Sequence, residues 1–211
     1  LKAGCKLGGA GAGPIGFPFP PPHAMPRRFD TQFMQPPAAG GAVDTAWLAA
    51  VRTWCEAGAF PRCTVPLAVA HIAPQPGLDA LAAEMDGSHA LARLGRWRGL
   101  AWRLRLQWQE AQRGHLPARD DPWDCGWWRS EALAHAAGFA PRRPTLLLLR
   151  DPAPAARDAL LATLQARSPA YARPLRVLLV APAAPPGTPT IAAPHPPGDP
   201  DGPLHRHQAH G

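Results

Sequence analysis

Lysine is nearly absent from this chain: Lys2 and Lys6 are the only lysines among 22 basic residues. Tyrosine occurs once, and the 15 acidic residues leave a formal charge of +7. Such a surplus points to anionic partners, nucleic acid or a charged membrane surface, and says nothing about fold. An Ala, Arg, Gly and Pro bias also follows from GC-rich coding sequence, so both origins stay open. The four cysteines, Cys5, Cys55, Cys63 and Cys125, contain no CxxC pair. Neither a zinc site nor a dense disulfide framework is spelled out, and free thiols in a cytoplasmic setting are expected. No apolar run approaches the ~20 residues that a spanning helix needs. The first seven residues hold no apolar core of signal-peptide length. The chain starts at Leu1 and not Met, as a fragment or a processed product would.

What the sequence does have is proline, 29 residues of it, beside 20 glycines. Eight prolines fall in 1–41 and nine in 181–211. The first stretch, with Pro18-Phe19-Pro20-Pro21-Pro22 and Pro36-Pro37, reads as extended and mostly disordered. The last, with His195, His205, His207 and His210, reads as a solvated tail. A core is expected within 42–180, where proline is sparse and apolar residues recur.

Inside that stretch, Asp44 or Thr45 can cap a helix over about 46–57 that groups Trp47, Leu48, Val51 and Cys55. Gly58 and Pro61 stop it. The run Val65–Ile72 fits either a strand or a buried turn. Helices are expected over about 78–94, closed by Gly95, over 96–113, and over 128–137. In the third, Trp97, Leu100, Ala101, Leu104, Trp108 and Ala111 fall on one ~100° stripe, which a globular domain turns toward its core. Arg96 and Arg103 flank the stripe on one side, Arg98 and Arg105 on the other. Thr145–Leu149 is an unbroken apolar run, as a strand buried on both faces requires. A helical stretch over 155–166 and a second run, Leu175–Val180, follow it. Strand, helix and strand in that span make a βαβ unit with parallel strands.

Two places carry candidate chemistry. Gly8, Gly11 and Gly13 lie in a stretch whose outer spacing matches the phosphate loop G-x-x-x-x-G-K-[ST], where glycines let backbone N–H groups touch phosphate oxygens. Pro14 and Ile15 stand where that loop has its Lys and its Mg²⁺-holding Ser or Thr. Arg150 directly follows the apolar run 145–149, where P-loop folds present a carboxylate to Mg²⁺, and Asp151, the candidate catalytic residue, lies one place later, where an activating carboxylate would stand. An ordinary Asp-Pro turn gives the same string.

The segments Trp123–Trp128, Pro141–Pro152 and Tyr171–Val180 together resemble the Walker B region of bacterial STAND-type P-loop NTPases. The resemblance implies an α/β fold with a partial P-loop-like parallel sheet. It further implies ATP and Mg²⁺ as cofactors, and a regulatory switch in signalling within a longer chain of further domains or protein partners. Arg150 in place of a carboxylate, and the missing Lys and Ser/Thr after Gly13, imply a degenerate or disrupted module without competent hydrolysis. The alternative is a non-enzymatic protein in which Arg96, Arg98, Arg103 and Arg105, interleaved with tryptophans, contact nucleic acid or a protein partner.

Overall fold

The computed structural model describes residues 31–38, 41–111, 121–151 and 153–192. Gly8, Gly11, Gly13 and the histidines of the tail lie outside the described residues. The fold is mixed α/β, built on one five-stranded sheet. The strands are β1 (Met34–Gln35), β2 (Leu67–Ile72), β3 (Asp124–Trp128), β4 (Thr145–Arg150) and β5 (Leu175–Val180). Their order is β1-β3-β4-β5-β2, with β1 antiparallel at one edge and the other four parallel.

The expected βαβ unit is present. Thr145 pairs with Leu175 and the register runs in step to Arg150 opposite Val180. Helix α5 (Pro154–Arg167) makes the crossover, with Pro at its start, where a missing N–H costs nothing. β4 reads as an unbroken apolar run up to Arg150, and β5 as one interrupted only by Arg176, because both faces of each strand are covered. Leu146, Leu148 and Leu178 face one layer, which contains α1 (Thr45–Glu56) and α2 (Leu78–Met85). Leu147, Leu149, Val177 and Leu179 face the other, which contains α5 and a 3₁₀ stretch, Ser130–Gly138. Each leucine buried in this way contributes about 1.5–3 kcal/mol.

Helix α1 starts where expected: Asp44 Oδ1 accepts from the Trp47 amide at 2.9 Å, and Trp47, Val51 and Cys55 are buried. The ambiguous run resolves as β2, whose His71 side chain donates from Nε2 to Ala181 O at 2.8 Å.

Three expectations are corrected. The helix over 78–94 is two helices, α2 and α3 (Ser88–Arg93). Gly87 lies between them at φ +77°, and Asp86 Oδ1 accepts from the Ser88 amide, a local turn that competes with helix continuation. The helix over 128–137 is instead the end of β3 followed by the 3₁₀ stretch. In α4 (Arg96–Ala111) the wheel faces the other way. Trp97, Leu100, Leu104 and Trp108 are exposed, whereas Leu106 is buried and packs with Trp102 against Leu91 and Leu94. Gly87 admits the Trp102 ring, since a Cβ there would lie 3.0 Å from Trp102 Cη2. The periodicity located the stripe correctly but could not say which side of the helix this chain covers.

Candidate functional site

The connection after β2 runs through α2, on one face of the sheet, and the connection after β4 runs through α5, on the other. In open parallel sheets, ligand crevices form beyond the carboxyl ends of the strands. Here two clefts meet at that edge. A cleft of about 260 Å³ lies between the β2–α2 turn (Pro74, Gln75, Gly77), Asp79, Asp151 and Val180. A second, of about 440 Å³, lies on the α5 side, between Gln35, Trp128, Asp151 and Arg157. Trp127 and Arg150 line both.

Two of the residues that the clefts share, Trp127 and Arg150, are held together. The Arg150 guanidinium sits 4.5 Å from the centre of the Trp127 ring, a cation–π distance. Trp127 Nε1 donates to Asp79 Oδ1 at 2.6 Å, and the Ala38 amide donates to the same oxygen at 3.1 Å. Asp79 therefore fastens the first turn of α2 to β3 and to the strand segment after β1.

Asp151, the carboxylate expected at this edge, is there. Its φ is +25°, a left-handed value that short polar side chains tolerate better than most. Its amide donates to Val180 O at 2.7 Å, which ties it to the end of β5. Its side chain is exposed and borders both clefts.

The β2–α2 turn is a strand–turn–helix connection, a form common to parallel α/β sheets. The sequence reading placed no site here. Its signal was the short apolar run Val65–Ile72 passing through Pro74 and Gly77 into a helical pattern. Gly77 takes φ +91°, and the Gln75 Nε2 donor is enclosed and without a partner among the described residues. The turn holds no Lys, Ser or Thr, and Leu78 and Asp79 open the helix. Asp79 places a carboxylate beside amide groups that a helix leaves unbonded at its N-terminus.

Trp127, Gln35 and Arg157 were not singled out from sequence, because only strand pairing across long separations brings them to one edge. Buried Arg143 Nη1 lies 3.5 Å from Asp124 Oδ1, joining the start of β3 to the approach to β4. Cys55, Cys63 and Cys125 are free thiols. Burial pushes the Cys55 thiol far above its usual range and raises that of Cys63, so neither offers a ready thiolate.

Comparison with protein-family models, with curated proteins and with solved structures finds no match to this chain. The class is thus the one its own sheet defines, an α/β protein with a mostly parallel five-stranded sheet and a cleft at its carboxyl edge. Among the described residues no helix is long and apolar enough to cross a membrane.

Proposed function

We propose that this chain is a nucleotide-associated regulatory module of the STAND-like P-loop type that binds without competent hydrolysis. The observation that carries the reading is the convergence of Arg150, Trp127 and Asp151 on one crevice, opposite a strand–turn–helix connection. A nucleotide offers a planar base and an anionic phosphate chain. Trp127 lines the crevice as an aromatic wall, Arg150 and Arg157 supply charge, and Gln75 supplies a donor.

The same residues argue against turnover. A competent loop uses Lys on the β/γ-phosphates and Ser or Thr on Mg²⁺. Neither type occurs in the β2–α2 turn, and the Asp79 carboxylate is engaged by Trp127 and Ala38. Arg150 stands in the strand-end position of the Mg²⁺-associated carboxylate, which leaves Asp151 as the catalytic carboxylate, one residue later, without the partners that hydrolysis needs. Regulation by occupancy, in a cytoplasmic signalling chain with further domains or protein partners, is the role this leaves. The free thiols accord with a reducing compartment.

Titration with a fluorescent ATP analogue, with and without Mg²⁺, tests the reading. Saturable binding below millimolar concentration is expected, with no release of phosphate. Arg150→Ala should weaken it about tenfold, as loss of a charge-assisted contact does. No saturation at millimolar nucleotide refutes the reading.

A second reading, a non-enzymatic interaction through the Trp/Arg helix, is favoured by one observation. Trp97 and Trp108 stand 84% and 65% exposed between the arginines of α4.

A further inference from the structure

Helix α4 turns its apolar stripe away from the protein. Leu106 and Gly99 face Leu91, whereas Trp97, Leu104 and Trp108 lie about 180° around the helix from them. The outward stripe is a convex ridge, with Trp97 and Trp108 about 16 Å apart along the axis. Leu100 and Leu104, 47% and 56% exposed, fill the centre between the two indoles. Arg96 and Arg103 follow one flank of the ridge and Arg98 and Arg105 the other, with no acidic residue from 96 to 108. Arg96, Trp97, Leu100 and Arg103 border a shallow depression of about 490 Å³ on one flank.

We propose that this ridge is a membrane-docking surface that lays α4 flat on an anionic lipid leaflet. In that pose the Trp and Leu side chains enter the boundary between headgroups and acyl chains. The four arginines, with stems long enough to follow the apolar surface, reach the lipid phosphates on both sides. Indoles at both ends of a short apolar stripe suit this boundary, where one edge is wet and the other apolar.

Charge selects this occupant over the others. A second copy would bring four arginines against four and repel itself. A protein partner would have to supply an apolar groove with acidic walls to receive a convex basic ridge. Single-stranded nucleic acid would satisfy the arginines and could stack on the indoles, but the aliphatic centre of the ridge has no stacking face to offer a base. An anionic leaflet satisfies the arginines, the indoles and the leucines together, and the net charge of +7 adds to the attraction.

The test is flotation of the full chain with vesicles of mixed phosphatidylglycerol and phosphatidylcholine, compared with phosphatidylcholine alone. Flotation is expected with the mixed vesicles only, and added salt should weaken it. Arg98→Gln/Arg105→Gln should reduce the partition coefficient about 25-fold, near fivefold for each charge removed. Leu100→Glu/Leu104→Glu should abolish flotation while leaving the thermal transition in place, since both side chains are exposed. Brominated acyl chains should quench tryptophan fluorescence of the unaltered chain, a readout that does not depend on any variant folding. Absence of flotation overturns the proposal, as do equal flotation with both vesicle types and unchanged flotation of the leucine variant. So does a ridge-dependent dimer, or ridge-dependent binding of oligothymidylate in place of vesicles. Because nucleotide titration reads Arg150 and Trp127 and flotation reads α4, either proposal can fail alone.

Discussion

Arg176→Ala is expected to destabilise the chain by about 3–5 kcal/mol, because a buried guanidinium and its acceptors cannot be parted cheaply. Arg176 lies within β5, in the middle of an apolar run, and is fully buried. Its partners are carbonyl oxygens. Nε donates to Cys55 O at 2.9 Å, Nη2 to Ala57 O at 2.8 Å, and Nη1 to Val65 O at 2.9 Å and Leu175 O at 3.2 Å. Cys55 and Ala57 end α1, where carbonyls have no intrahelical partner and the helix dipole is negative. A cation from the sheet thus caps the helix from inside the core and also holds the lead-in to β2. Burial draws the guanidinium below the usual arginine range, yet it stays protonated at any ordinary pH. Alanine would leave the buried carbonyl of Cys55, and the part-buried carbonyls of Ala57 and Val65, without this donor. Thermal denaturation should fall by on the order of 10 °C. Arg176→Lys should recover only part of the loss, since an ammonium lacks the planar fork that reaches two chain segments at once. A shift of only a degree or two for Arg176→Ala would show that these carbonyls find other donors.

Gly126→Ala is expected to detach the edge strand at a cost of about 1–3 kcal/mol. A Cβ on Gly126 would lie 2.6 Å from Gln35 O and 3.2 Å from Met34 Cε. The nearer atom is backbone in β1, so no side-chain rotation relieves the contact. Phe33, Met34 and Trp128 are buried together beneath this strand, with the Phe33 ring stacked 5.9 Å from the Trp128 ring. Displacing β1 would expose Trp128 and carry Gln35 away from the cleft it lines. The measurements are the thermal transition and tryptophan emission, which should shift to longer wavelength. Unchanged emission and stability would mean that β3 can bow without losing its antiparallel partner.

The sequence made the centre of this sheet legible and its edges opaque. Thr145–Leu149 and Leu175–Val180 announce buried strands because apolar residues fall on both of their faces, with Arg176 the one charge among them. Asp124–Trp128 gives no such signal: it holds Asp124 and Gly126, acceptable only because Arg143 meets the carboxylate and β1 needs the missing side chain. Val65–Ile72 fits a strand or a buried turn equally, because a short apolar run has no period to separate them, and only its pairing with Leu175–Val180 makes it a strand. The outward ridge of α4 was misread because amphipathicity locates an apolar stripe and never its partner.

The candidate site was legible only at Asp151, which a strand-ending carboxylate signals locally. Asp79 and Trp127 are 48 positions apart and meet through one hydrogen bond at 2.6 Å, a juxtaposition no spacing rule encodes. The β2–α2 turn escaped notice because it lacks the Lys and Ser/Thr by which such turns are recognised. Those same two absences define what the turn is proposed to do, which is to bind and not to hydrolyse.

Hydrogen–deuterium exchange of the full chain with and without saturating ATP tests that claim most directly. Occupation of the crevice predicts slowed exchange at 73–79 and at 149–157, the turn and the strand end that form its two walls, with the amides of α4 unaffected. Protection confined to 8–13, or no protection anywhere at millimolar ATP, would contradict the assignment of the carboxyl-edge cleft as the nucleotide site.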